Sequence, residues 1–180
     1  MNILAIGIER VISKKVLEEL NQKPDFSVII STPKQVKNIA AINYDVMYVD
    51  MLHLGMDEEF EGIIDQIEAG EIKANKIIFL ATAGMDKEIN PNWIEVQDLK
   101  ELLLEVKYVA KLVDETELPY TILRPVEVSD EVQNVALNII PEGEKISVDR
   151  VSEANLRTVI IDAITTNNYI NQSIGISNKG

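Results

Sequence analysis

The stretch with the most chemistry to offer is the turn behind the first apolar run, Gly7-Ile8-Glu9-Arg10-Val11-Ile12-Ser13. A glycine there lets backbone approach a bound group closely, and a helix opening just behind it aims N–H groups at an anion. Arg10 adds a guanidinium that can pair with phosphate, while Glu9 sets a carboxylate beside the same place. β-Branched Val11 and Ile12 resist the positive φ that glycine supplies. The turn therefore has the outline of an anion site with a single glycine. Other candidates are scattered. Thr82 ends an apolar run with a hydroxyl, and Asp50 and His53 follow another, His53 reading as a base or as a solvent-facing loop residue. Arg124 closes the run Leu118-Pro-Tyr-Thr-Ile-Leu-Arg-Pro125, where it could hold an anion or tie the strand end to nearby loops. Asp57, Glu58, Glu59 and Glu61 cluster at a helix start, which suits carboxylates through the helix dipole. Trp93 lies in a polar loop as a lid or packing residue.

Such residues work together only if strands end side by side. Asn2 to Gly7 and Tyr120 to Leu123 are apolar without polar alternation, the composition of strands buried on both faces. Phe26 to Ser31, Tyr44 to Asp50 and Lys76 to Thr82 add three more strands. Between them the spacing predicts helices over Val11 to Leu20, Lys34 to Ala41 and Asp57 to Ala69. The second opens at Thr32-Pro33, a hydroxyl cap before proline, and Gly70 stops the third. Leu102, Leu103, Val106, Ala110 and Val113 mark a long helix feeding the Tyr120 strand. Beyond Pro125 the pattern predicts a short helix over Glu131 to Asn138, a short strand over Lys145 to Val148, a helix over Val151 to Thr165 and a last strand over Ile170 to Ile176. Strands alternating with helices predict a doubly wound, mostly parallel α/β sheet, and residues 1–180 are expected to form one domain.

Composition narrows the function classes. A net charge of −13 repels phosphate backbones, and with no basic patch in view nucleic acid is an unsuitable partner. The absence of cysteine removes disulfides, thiolate metal sites and a cysteine nucleophile, and the single His53 cannot build a multi-histidine metal site. No apolar run has bilayer length and the N-terminus lacks a signal core, so no membrane partner and a cytoplasmic location are expected.

Tyr44-Asp-Val-Met-Tyr-Val-Asp50, Ile77-Ile-Phe-Leu-Ala-Thr-Ala-Gly84, Leu118 to Pro125 and Ile146-Ser-Val-Asp-Arg-Val-Ser-Glu-Ala154 together resemble atypical short-chain dehydrogenase/reductase proteins of the NAD(P)H-binding, NmrA-like branch. The resemblance spans nearly the whole chain. It implies a Rossmann-like sheet that binds NADP or NAD, and an activity on a small quinone, flavin or carbonyl acceptor. The implied cofactor seat comprises Gly7, Ile8, Glu9, Arg10, Val11 and Ile12 in the first turn, Ser31 and Thr32 after the second strand, Asp50, Met51, Ala81 and Pro125. Thr82 and Lys107 would assist the chemistry.

The chain also departs from this pattern. Of the family's Gly-x-x-Gly-x-x-Gly turn only Gly7 remains, and Ser31 stands where NADP-preferring members carry Arg, with Lys34 a helical turn late. Tyr108-Val-Ala-Lys111 is one residue short of the family's Tyr-x-x-x-Lys pair. Thr32 to Asn43 leaves room for one short helix, so an edge strand of the family's sheet is expected to be missing. Two readings stay open. One is an NAD(P)H-dependent oxidoreductase with a remodelled nucleotide site; the other is a non-catalytic ligand-sensing or protein-binding regulatory module, which could act as a homodimer.

Overall fold

The computed structural model describes residues 1–39, 41–130 and 135–180. In chain order the elements are β1 (Asn2–Gly7), α1 (Val11–Asn21), β2 (Ser27–Ser31), a 3-10 helix (Pro33–Asn38), β3 (Asn43–Tyr44), β4 (Val46–Asp50), α2 (Met56–Glu68), β5 (Lys73–Ala74) and β6 (Ile77–Leu80). There follow α3 (Leu99–Glu115), β7 (Tyr120–Pro125), β8 (Glu127–Ser129), β9 (Leu137–Ile140), β10 (Arg150–Ser152), α4 (Glu153–Thr165) and β11 (Gln172–Asn178). Seven strands form one sheet in the order β2-β1-β4-β6-β7-β11-β9, parallel except where β9 runs against β11. This is a Rossmann-like doubly wound α/β fold. Among the described residues nothing pairs with the outer side of β2, the edge at which a strand was expected to be missing.

Both faces of the sheet are covered at its centre, which is why β1, β4 and β6 carry unbroken apolar runs. Ile3 and Ala5 of β1 pack on one side with Val16 and Leu17 of α1 and Val159 and Ile160 of α4. Leu4 and Ile6 pack on the other with Phe60 and Ile63 of α2 and Val106 and Val109 of α3. Three helices start on distinct caps. Asp98 Oδ1 accepts from the Glu101 N–H at 3.0 Å, and Ser152 Oγ from Asn155 N–H at 3.2 Å. Gly55 and Met56 N–H groups at the head of α2 donate to Glu105 Oε2 at 2.7 and 3.2 Å, a cap supplied from α3. No helix of the described residues is long and apolar enough to cross a membrane.

Several expected elements are redrawn. The Lys34 to Ala41 helix is a short 3-10 turn, and the Thr32 hydroxyl makes no cap bond; Ala40 lies outside the described residues. The strand over Tyr44 to Asp50 breaks at Asp45, which turns to bond Asn2 through both backbone and side chain. Of the helix expected over Glu131 to Asn138, residues 131–134 lie outside the described residues, and Leu137 and Asn138 belong to strand β9. Lys145 to Val148 forms no strand; Ile146 N–H donates to the Glu88 carbonyl instead, and the short strand comes later as β10, paired with β8. Local apolar alternation cannot tell which neighbour a two- or three-residue segment will find.

Candidate functional site

From β1 the chain runs outward to β2 and then crosses to β4 on the other side of β1, so the winding reverses between β1 and β4. Ligands of open α/β sheets bind in the crevice beyond the carboxyl ends at such a reversal. Gly7 ends β1 there at φ +85°, and a Cβ on it would lie 2.4 Å from the Asp50 carbonyl oxygen and 2.7 Å from Met51 Cγ. Only glycine fits. The next residue, Ile8, also takes a positive φ of 60°, whereas Val11 opens α1, so the conformational demand expected at Val11 and Ile12 falls three residues earlier.

Arg10 lies across this crevice. Its backbone N–H and Nε–H donate to the two carboxylate oxygens of buried Asp50 at 2.9 and 2.6 Å. Its two terminal nitrogens donate to the carbonyls of Ala81, at 2.6 Å, and Leu80. The guanidinium thereby joins the ends of β1, β4 and β6. Glu9 points along the other side of the crevice, its carboxylate accepting from Leu52 N–H at 2.8 Å and lying 2.6 Å from His53 Nδ1. His53 Nε2 is 3.3 Å from Glu59, which in turn is 3.7 Å from Lys34. Beneath the turn Ser13 Oγ and Tyr48 OH share a buried 2.7 Å hydrogen bond, and burial pushes the Tyr48 hydroxyl well above its ordinary value.

Beside Arg10 a cavity of about 200 Å³ opens between Thr82, Trp93, Pro125 and Leu156, with Leu52, Ile94, Val126 and Val128 completing its wall. Trp93 therefore borders the cleft, the place expected of a lid or packing residue. Thr82 is buried and donates to the Ala83 carbonyl at 3.2 Å. Thus the fold gathers Gly7 to Ile12, Asp50, Met51, Ala81, Thr82 and Pro125 at one end of the sheet. Ser31 and Thr32 end the adjacent β2, where Ser31 Oγ donates to the Thr32 carbonyl at 3.0 Å.

Lys107 does not join them. It lines a separate groove of about 480 Å³ along α3, with Asp86, Tyr108, Lys111, Tyr120 and Ser173 among its walls. There it pairs with Asp86 at 2.9 Å, and that hydrogen bond raises its pKa. Tyr108 OH donates to Glu61 at 2.9 Å and Lys111 pairs with Glu115 at 3.3 Å, so neither half of the shortened Tyr/Lys pattern lines the cleft. Arg124, fully buried, pairs with Glu88 and reaches the Ser173 carbonyl at 3.4 Å; it ties loops to the strand end. Leu52, Ile94, Val126, Val128 and Leu156 were not among the residues expected at the cleft. Apolar wall residues carry no chemical signature in sequence.

The profile of the NAD(P)H-binding family matches residues 11–167. The chain belongs to that family. The match begins just past Gly7 and Arg10, the part of the turn that departs most from the glycine pattern. Among solved structures, the fold is similar to that of a short-chain dehydrogenase/reductase from Veillonella parvula in complex with NADP, at 18% identity over 99% of this chain and 95% of that one, with a TM-score of 0.76. A Rossmann-fold NAD(P)-binding family protein from Shigella flexneri gives 21% identity, 99% and 94% coverage and a TM-score of 0.74. An anaerobillin reductase from Escherichia coli gives 13%, 99% and 97%, and 0.71. At these identities the likeness establishes the fold. The sequence matches none of the curated proteins with which it was compared.

Proposed function

We propose that this family member binds NAD(P)H across the carboxyl ends of β1, β4, β6 and β7 and reduces a small quinone or flavin. The observation that carries the reading is the glycine-only cradle at Gly7, kept at the winding reversal and set against Asp50. The residues present suit the cofactor in two respects. Gly7 allows close backbone approach, and the cavity of about 200 Å³ beside Thr82 and Trp93 has the room and the apolar walls for a single ring. NAD(P)H supplies a hydride when bound. Around it, Arg10 would balance phosphate charge, the Thr82 hydroxyl would orient the ring's polar edge, and Trp93 would exclude water.

The acceptor class follows from what lines the cleft. Thr82 carries the one hydroxyl among the described lining residues and Arg10 the one charge. Reduction of a ketone leaves an alkoxide that needs a positioned proton donor. A reduced quinone or flavin spreads its charge by conjugation and takes its proton from water, so it asks less of the site. The absence of Tyr108 and Lys111 from the described lining therefore favours quinones and flavins over carbonyls.

The test is calorimetric titration with NADPH and NADH, then turnover with quinone, flavin and aldehyde acceptors. At ~100 times the dissociation constant, binding should stabilise the fold by about 2.7 kcal/mol, visible as a thermal shift. Binding with quinone or flavin turnover and no aldehyde turnover is expected; a folded protein that binds neither nucleotide overturns the reading. A second reading, a regulatory module that senses a ligand without turnover, is favoured by one observation, the Arg10 guanidinium lying across the crevice. Binding without turnover of any acceptor would select it.

A further inference from the structure

We propose that Glu9 and Arg10 set dinucleotide affinity by occupying the crevice themselves, so that the cofactor enters only when their ties to the β4 and β6 ends open. This rests on the NAD(P)H reading above. In the Gly-x-x-Gly-x-x-Gly spacing that begins at Gly7, Arg10 stands at the second glycine position, where a side chain projects toward the place a pyrophosphate would lie. The projection is filled. Four hydrogen bonds hold Arg10 to Asp50, Leu80 and Ala81, and all three partners lie at the strand ends that form the floor of the crevice. Glu9, its neighbour in sequence, closes the other flank by engaging the backbone of Leu52 and the ring of His53.

Charge explains why the two residues go together. Asp50 is buried at the floor of the crevice, and without Arg10 its carboxylate would repel a pyrophosphate. With Arg10 engaged the floor is neutral and closed, and the free cavity beside it measures about 200 Å³, below the ~300 Å³ at which pockets for drug-sized ligands begin. A ring fits this space, whereas a dinucleotide must displace Arg10 from Asp50. The guanidinium exchanges one oxyanion for another, carboxylate for phosphate, so the closed state competes directly with the ligand. Because the Leu52 N–H is held by the Glu9 carboxylate, the same competition extends to that flank.

The experiment compares NADPH affinity of the wild-type chain and the double substitution Glu9→Gln with Asp50→Asn, which loosens both ties while leaving Arg10 in place and no unpaired carboxylate at the floor, each checked for a cooperative unfolding transition. The proposal expects the variant to bind at least tenfold more tightly. Equal or weaker binding by the variant overturns it while the NAD(P)H reading stands. No binding by either folded protein removes the NAD(P)H reading and the proposal with it. A second measurement needs no variant: reduced nicotinamide mononucleotide, which does not span the crevice, should bind the wild-type chain as tightly as NADPH does. A preference for NADPH beyond tenfold overturns the proposal.

Discussion

Arg10 and Arg124 each face a carboxylate at the same end of the sheet, yet the two pairs are built differently. Arg124 projects from the end of β7, is fully buried and pairs with Glu88, itself buried; its Nε finds no partner among the described residues. Arg10 projects from a turn, keeps 21% of its side chain exposed and spends its donors on Asp50 and two strand-end carbonyls. A fully buried pair between a strand end and a loop holds the fold. A pair made by a turn residue at the mouth of a crevice can open without moving the sheet.

The contrast is broken or sharpened by substitution. Glu88→Ala should have the largest effect, because it leaves the buried Arg124 charge with only Asp86, 4.0 Å away; a loss of roughly 3–5 kcal/mol in urea unfolding is expected. Arg10→Ala should cost less, about 1–3 kcal/mol, since the side chain it removes is itself 21% exposed, so that water takes its place beside Asp50, and the backbone N–H at position 10 still donates to the carboxylate. If the two losses match, the crevice pair is as structural as the strand pair and the distinction fails.

Tyr48→Phe tests whether the turn has an anchor independent of Arg10. Losing the hydrogen bond with Ser13 should cost about 1 kcal/mol at neutral pH, measured by thermal unfolding. Burial raises the Tyr48 pKa above its ordinary 10.0, so its contribution is present below pH 10 and is lost as pH rises past it, when the unfolded chain ionises first. The variant should show a shallower alkaline loss, by up to about 1.4 kcal/mol per pH unit. Lys107→Ala should have the smallest effect, roughly 0.2–1 kcal/mol, because its pair with Asp86 leaves 60% of the lysine side chain exposed. A larger loss would show that the groove along α3 depends on this pair as β7 depends on Glu88.

Much of the architecture is legible from residue types. The unbroken apolar runs at Ile3 to Ile6 and Tyr120 to Leu123 require cover on both faces, and only helices on both sides of a parallel sheet supply it. Gly7 was legible for the same kind of reason, since a glycine between an apolar strand and a helix marks a close approach. The short segments after Pro125 were not legible: three or four residues such as Arg150 to Ser152 become a strand only because Glu127 to Ser129 runs alongside.

Sequence by itself determined the alternation of strands and helices, the place of the first turn and the presence there of one glycine, one carboxylate and one guanidinium. Only the tertiary structure decided what that guanidinium faces. Asp50 lies 40 residues from Arg10 and Ala81 lies 71 residues from it, and no local spacing encodes either meeting. It arises because parallel strands laid side by side bring their carboxyl ends together, and a side chain at the second position of the glycine pattern reaches across them.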